Sequence, residues 1–411
     1  MKHYPLMEGR QGKICFSVFL TALLFLCRDS LVTTAILGTN KSYFLFVALL
    51  GFTGAAFLVV NRKSLKEILT DRRMAVAALA TAVMLLPMLL KQDWQLMYFS
   101  ILICLYLAVF LTYFISLQDA AKCYVILMTV LGVYSVIATY LLRILPDSGL
   151  FPVPVFHNSL GIKFHNFLFA FVSDEYVKNR NFGIYREPGV YQYFILLGLV
   201  LNNYMVAWKK QGWLWLVNVL LAVTMLSTFA TGGVAELGLL AIFVFFDKKL
   251  YKNKWARMAA ISLAVLLVAA LWVIVAEKGE IYWELYGMII YKFTDGESSS
   301  ERMQAILSDL HFFLKSPLWG CAIAEVLHAV PNNTTSTMLM LAIFGIPGGV
   351  LHVASWAALV WQKNRKRIGN LILLVIVFLS FNTQNLLANT FFWMFPMMAL
   401  TERILLLKKK E

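Results

Sequence analysis

Two stretches of the 411-residue chain gather the residue types that act on anions and protons. Arg180, Arg186 and Glu187 lie in Arg180-Asn181-Phe182-Gly183-Ile184-Tyr185-Arg186-Glu187-Pro188, and Ser300-Glu301-Arg302 opens a second stretch that continues to Asp309, His328, Asn333 and Thr334. A guanidinium is a permanent charge with a donor fork that matches oxyanions, and a carboxylate or imidazole can take up a proton. Structural readings stand beside these: the arginines can snorkel or pair with loop carboxylates, and Glu187 complements the dipole of a helix that starts at Pro188. Metal chemistry is not spelled out. The five cysteines (Cys15, Cys27, Cys104, Cys123, Cys321) have no zinc or disulfide spacing, and Walker, H-E-x-x-H, D-x-D and helix-opening G-x-G-x-x-G motifs are absent, so neither a metal nor a cofactor is expected.

The elements that must position these residues are membrane helices. Hydrophobic side chains make up 60% of the chain and charged ones 14%, far from the roughly 25% charge of a soluble domain. Long continuous apolar runs exclude a barrel of short alternating strands. Twelve spans are expected, near 15–38, 42–60, 74–90, 96–116, 123–145, 188–207, 213–230, 232–246, 256–276, 334–361, 367–385 and 388–407. The fold class is therefore an all-α polytopic membrane protein, a single integral membrane domain over 1–411. The net charge of +14 sorts by connection: 24 of the 36 basic residues fall on alternate connections that include both termini, and nine on the others. Both termini are thus expected to be cytoplasmic, the first helix to be retained rather than cleaved, and the charge to orient helices rather than bind nucleic acid.

All connections are short except two outward-facing ones, 146–187 and 277–333, and long loops in such a chain point to function. Each is expected to carry short amphipathic helices. Residues 280–293 read as an interfacial stretch with Tyr282, Trp283 and Tyr286. Ser298-Ser299-Ser300-Glu301 reads as a capping box, followed by a stripe of Met303, Ile306, Leu307, Leu310, Phe313 and Leu314 that should face the bundle, with Arg302 beside it and Pro317 as the stop. The aromatics of the first loop either stack on sugar rings or cover the bundle mouth, the second being preferred. Arg28 and Asp29 lie inside the first span, where a charge marks either a substrate contact or internal pairing. Gly345 and Gly349 have GxxxG spacing, read as close helix packing.

The Arg180 to Pro188 segment resembles the R-x-x-G-x-[F/Y]-x-E-P signature of bacterial O-antigen and capsule repeat-unit polymerases of the Wzy type. Three further stretches resemble elements of that family in the same order. They are Leu226-Ser227-Thr228 to Thr231-Gly232-Gly233, Ser300-Glu301-Arg302 through Trp319-Gly320, and Thr334 to Gly348. The resemblance departs from the family at Thr334, where its H-N-S element has histidine, and at Ala230-Thr231, where its turn often has arginine. The sister ligases, which move finished glycan onto lipid A, rely on that histidine, so its absence favours the polymerase.

The resemblance implies transfer of a growing glycan from one polyprenyl pyrophosphate to a sugar hydroxyl of an incoming lipid-linked repeat unit, outside the membrane and without a nucleotide. Arg180 and Arg302, with Arg186 third, would neutralise the leaving pyrophosphate, and Glu187 would act as base, with Glu301, Asp309 and His328 in reserve. Tyr185, Asn333 and Thr334 complete the implied substrate-binding set. The implied partners are polyprenyl-pyrophosphate-linked oligosaccharides and the lipid bilayer, together with a chain-length regulator and a flippase, at a bacterial plasma membrane. A ligase of the same fold and a lipid-linked oligosaccharide flippase are the alternatives.

Overall fold

The computed structural model describes residues 9–38, 71–145, 153–158, 161–173, 179–279, 297–331 and 333–407, with residues 41, 44, 45, 47, 48, 51 and 283. Thirteen α-helices lie among the described residues: α1 (Gly9–Leu26), α2 (Arg72–Lys91), α3 (Leu96–Leu111), α4 (Leu117–Tyr140), α5 (Pro188–Tyr204), α6 (Gln211–Ser227), α7 (Thr231–Asp247), α8 (Lys254–Glu277), α9 (Glu297–Lys315), α10 (Ile323–Ala329), α11 (Thr337–Val360), α12 (Arg367–Ser380) and α13 (Thr390–Leu407). Four of them, α1, α2, α4 and α11, are long and apolar enough to cross a membrane. Helices occupy eleven of the twelve apolar runs; most of 42–60 lies outside the described residues.

Helix starts follow local chemistry. Asp71 accepts the Arg73 amide at 3.0 Å before α2, and Ser116 accepts the Asp119 amide at 3.1 Å before α4. Pro188 opens α5 after an extended Glu187, whose side chain makes no capping hydrogen bond. At the centre, α5 is buried at every position but Gly189, and the first ten residues of α13 are buried as well. Helices apolar all round belong in such a position. α4 packs on α5 and α6, and α13 packs on α3 and α11.

Four expectations are corrected. The first span does not continue to residue 38. Its helix ends at Leu26, the chain turns through Cys27–Ser30, and a short π-helical stretch follows over Val32–Leu37. Among its described residues the first long loop carries a small sheet where short amphipathic helices are expected. Its strands β1 (Val155–His157), β2 (Lys163–Asn166) and β3 (Phe171–Val172) pair antiparallel in chain order, with Phe156 opposite Phe164. Phe156 stacks on Phe164 and Phe182 meets Phe164 edge-on, so the aromatics pack with one another over the helix ends.

The second loop is inverted relative to expectation. Helix already exists at Glu297, which places Ser298 within it; the 280–293 stretch lies, apart from Trp283, outside the described residues. On α9 the stripe residues Leu307 and Leu314 are 57% and 65% exposed, whereas Ala305, Asp309 and Phe312 are buried on the face that packs against α11. Packing on α11 decides the direction: the inward strip is Ala305, Asp309 and Phe312, and the outward face carries Met303, Leu307 and Leu314 together with Glu301, Gln304, His311 and Lys315.

The fourth correction concerns α11, which is broken rather than continuous. Gly345 has φ +60° and a non-helical backbone, and a Cβ there would lie 2.6 Å from the Pro317 carbonyl oxygen. The loop after α9 fills the break: Ile346 N–H donates to Pro317 O and Cys321 N–H donates to Ala342 O, each at 2.8 Å. Backbone freed by the kink is thus satisfied by protein, the condition under which irregular chain survives in a bundle of this kind.

Candidate functional site

One end of the bundle collects the chemistry-bearing residues because several chain turns meet there. Residues 27–31 run alongside 184–186, with Leu31 N–H donating to Ile184 O at 2.8 Å and Arg186 N–H to Asp29 O at 3.0 Å. This brings Asp29 onto the Arg186 side chain. Asp29 Oδ1 accepts from Arg186 Nε at 3.1 Å, and its Oδ2 accepts from Asn389 Nδ2 at 2.7 Å. Arg186 Nη2 lies 3.4 Å from Glu187 Oε1 and 3.4 Å from Gln384 Oε1. One guanidinium therefore bridges two carboxylates. The Asp29 side chain is 6% exposed and that of Glu187 28%, so Glu187 is the member of the pair open to a ligand.

The next layer joins α5 to α7. Gln192 donates to Thr383 Oγ1 at 3.1 Å, and its buried Oε1 has no hydrogen-bond partner. The first turn of α7 sits against it. A Cβ at Gly233 would come within 2.7 Å of Gln192 Oε1 and one at Gly232 within 3.3 Å of Gln192 Nε2, so the glycine pair lets the two helices approach. One turn further, Glu236 is 3% exposed, its Oε2 also lacks a partner, and Arg302 on α9 lies within electrostatic reach.

Arg180 belongs to the end of α6, where its Nε donates to Thr228 O at 3.0 Å. A cation at helix C-terminal carbonyls is favourable in its own right. Asn181 ties the same segment down, donating to Ser135 Oγ and Ser227 Oγ at 2.9 Å. Gly183 holds φ +57° with the Tyr191 ring 2.9 Å from where a Cβ would sit, so glycine is required there by the backbone.

Where α9 meets the start of α11, Asp309 accepts from Asn333 Nδ2 at 2.8 Å and from the Thr335 hydroxyl, while Thr335 N–H donates to Asn333 Oδ1 at 2.8 Å. Burial pushes the Asp309 carboxyl up to about 6, against the hydrogen bonds from Thr335 and Asn333 that pull it down. Thr334 is half-buried, and its Oγ1 is buried without a partner.

The residues expected from sequence therefore separate. Arg186 and Glu187 touch; Arg302 lies within electrostatic reach of Glu236; Arg180 braces α6. Asn333 is a buried structural amide whose donor and acceptor are both engaged within the α9–α11 junction. Tyr185 is corrected from a substrate contact to a core residue: it is 1% exposed and its ring stacks on Phe194 at 4.1 Å between centroids. Of the reserve acids and bases, Glu301 and His328 are both exposed. Sequence reasoning missed Gln192, Glu236, Gln384 and Asn389. Glu236 carried a signal, since it is a carboxylate inside an apolar run; the amides carried none.

At the opposite end of the bundle, Arg365 Nε pairs with Asp247 Oδ1 at 2.9 Å and Lys248 Nζ donates to Asn203 O at 3.0 Å. Polar clusters thus lie at both ends of the bundle. No family model, curated protein or solved structure matches the chain.

Proposed function

We propose that the chain polymerises polyprenyl-pyrophosphate-linked oligosaccharide repeat units at the outer face of a bacterial plasma membrane, with twelve spans and both termini cytoplasmic. The reading is supported by one observation above all: contacts run from the first outer segment into the bundle end, and Arg302 of the second lies within electrostatic reach of the same place. They pass from Glu187 and Arg186 through Gln384 and Thr383 to Gln192 and the Gly233 turn, one turn before Glu236, on which Arg302 acts electrostatically. Charged groups from two distant segments thus share one end of the bundle.

In this reaction the acceptor hydroxyl oxygen bonds to the anomeric carbon of the donor glycan. The bond from that carbon to the pyrophosphate oxygen breaks, and its electron pair leaves with the lipid pyrophosphate. Arg302 neutralises that leaving charge with its forked donors, while Arg180 braces the end of α6. The hydroxyl proton goes to Glu187, the more exposed of the two carboxylates on Arg186. Asp29 holds Arg186 in place. A chain-length regulator and a flippase would be the partners that set polymer length and deliver substrate.

Cells lacking the protein separate the alternatives. Loss of a polymerase leaves single repeat units on outward-facing lipid, loss of a flippase traps them facing the cytoplasm, and loss of a ligase leaves long glycan on the carrier. Arg302→Lys, which keeps the charge and loses the fork, is expected to stop chain growth at unchanged protein level. Normal long chains from the deletion strain would refute the proposal, and wild-type polymer from Arg302→Lys would remove Arg302 from the site.

A further inference from the structure

A groove of about 640 Å³ separates α1 from α4 at the end of the bundle opposite the candidate site. The two helices enter at the same end and run the same way, since Lys13 Nζ meets Asp119 Oδ1 at 2.5 Å four residues into α1 and two into α4. Among the described residues, Arg10, Lys13 and Lys122 line this end against a single acid, Asp119. Asp119 is fixed in the first turn of α4 by the Ser116 cap and is occupied by Lys13, so Arg10 and Lys122 are the surplus charges. Lys122 is held 5.2 Å from the Trp208 ring.

Further along, the groove turns apolar. Ile14, Val18 and Ile126 line it and are exposed. The two hydroxyls on its wall are already spent on the backbone: Ser17 Oγ donates to Lys13 O and Thr21 Oγ1 to Ser17 O, both at 2.8 Å. From Arg10 to Thr21 the groove follows α1 for about 16 Å at helical rise. A trough with surplus positive charge at one end, then hydrocarbon with no available hydrogen-bonding group, has the polarity order of an anionic amphiphile. Bilayer lipid is the molecule that meets such a face at high concentration, and basic pockets between membrane helices bind acidic headgroups.

We infer that this groove is a binding site for one anionic phospholipid, its phosphate held by Arg10 and Lys122 and an acyl chain lying between Val18 and Ile126. The inference stands apart from the transferase reading, since it needs only that α1 and α4 face lipid. It is tested on the full chain in neutral detergent by native mass spectrometry, with phosphatidylglycerol and phosphatidylcholine offered separately and inorganic phosphate as competitor. The wild type is expected to retain one phosphatidylglycerol in preference to phosphatidylcholine, with phosphate unable to displace it. Arg10→Gln with Lys122→Gln should weaken retention roughly 25-fold, at about fivefold per charge. Val18→Trp, which fills the trough and leaves the charges, should also lose the lipid. Lys252→Gln with Lys254→Gln, which removes the same charge outside the groove, should not. Equal loading of the two lipids, displacement by phosphate, or undiminished retention by the charge variant or by Val18→Trp would overturn the inference.

Discussion

Replacing Gly320 by alanine should detach the second outer segment from the bundle. Gly320 sits at φ +71°, and a Cβ there would fall 1.9 Å from the Ile343 carbonyl oxygen and 2.3 Å from its carbon. Both neighbours are backbone of α11, so no side-chain rotation relieves the contact. Left-handed geometry costs an L-residue about 1–2 kcal/mol. Separating the loop from α11 also removes the hydrogen bonds Cys321 N–H to Ala342 O and Ile346 N–H to Pro317 O, each contributing roughly 0.5–1.5 kcal/mol. The expected destabilisation is about 2–5 kcal/mol. Gly212→Ala is the control: nothing lies within 4 Å of its Cβ position, and alanine favours the α6 turn it occupies. Thermal unfolding of detergent-purified protein reads the stability, and hydrogen exchange over residues 297–315 reads the docking of α9. Gly320→Ala that melts with the wild type and protects α9 equally well would refute the reasoning, because the break at Gly345 would then not depend on the loop that fills it.

Three further outcomes follow from the same geometry. Asp309 binds its proton more tightly folded, at about 6, than unfolded, at 3.8, so its contribution to stability is greatest below pH 4 and is lost as pH rises to 6. Asp309→Asn should remove that part of the slope in a pH series of melting temperatures and should melt above the wild type at pH 7.5; identical pH profiles would contradict it. Asp29→Ala strips Arg186 of its buried partner and should destabilise by about 1–3 kcal/mol, between an exposed and a buried ion pair, because Arg186 itself is 40% exposed. Gly233→Ala drives a methyl to 2.7 Å from Gln192 Oε1 and should cost about 1–3 kcal/mol of overpacking in the same melts.

The helix positions were largely legible because long apolar runs have no alternative in a bilayer, and Pro188 announced the start of α5 unambiguously. The direction of α9 was not. Its periodicity was correct, but Met303, Leu307 and Leu314 read as core, whereas packing on α11 turns them outward and Asp309 in. The end of α1 at Leu26 was hidden by the continuing apolar run, which made Asp29 look like a charge within a span instead of a residue at a turn. The sheet over 155–172 escaped because its strands are two to four residues long, too short for alternation to register.

At the site, Arg186 and Glu187 were recognisable as neighbours in sequence, and they are neighbours in space. Glu236 was within reach of the rule that singles out a charge in an apolar run, and it lies one turn past Gly232-Gly233, within electrostatic reach of Arg302. Gln192, Gln384 and Asn389 join the cluster through tertiary packing alone. Tyr185 shows the opposite failure, since an aromatic beside two charges reads as a ligand contact but the Ser30–Tyr185 bridge draws it into the core.

The most direct measurement is reconstitution. The purified chain is placed in vesicles with lipid-linked repeat units as the only glycan and no nucleotide, and products are resolved by chain length. The expected result is a ladder of lengthening lipid-linked glycan with one polyprenyl pyrophosphate released per unit added, lost in Arg302→Lys. A monodisperse, stably folded protein that returns only single repeat units would contradict the proposed polymerisation.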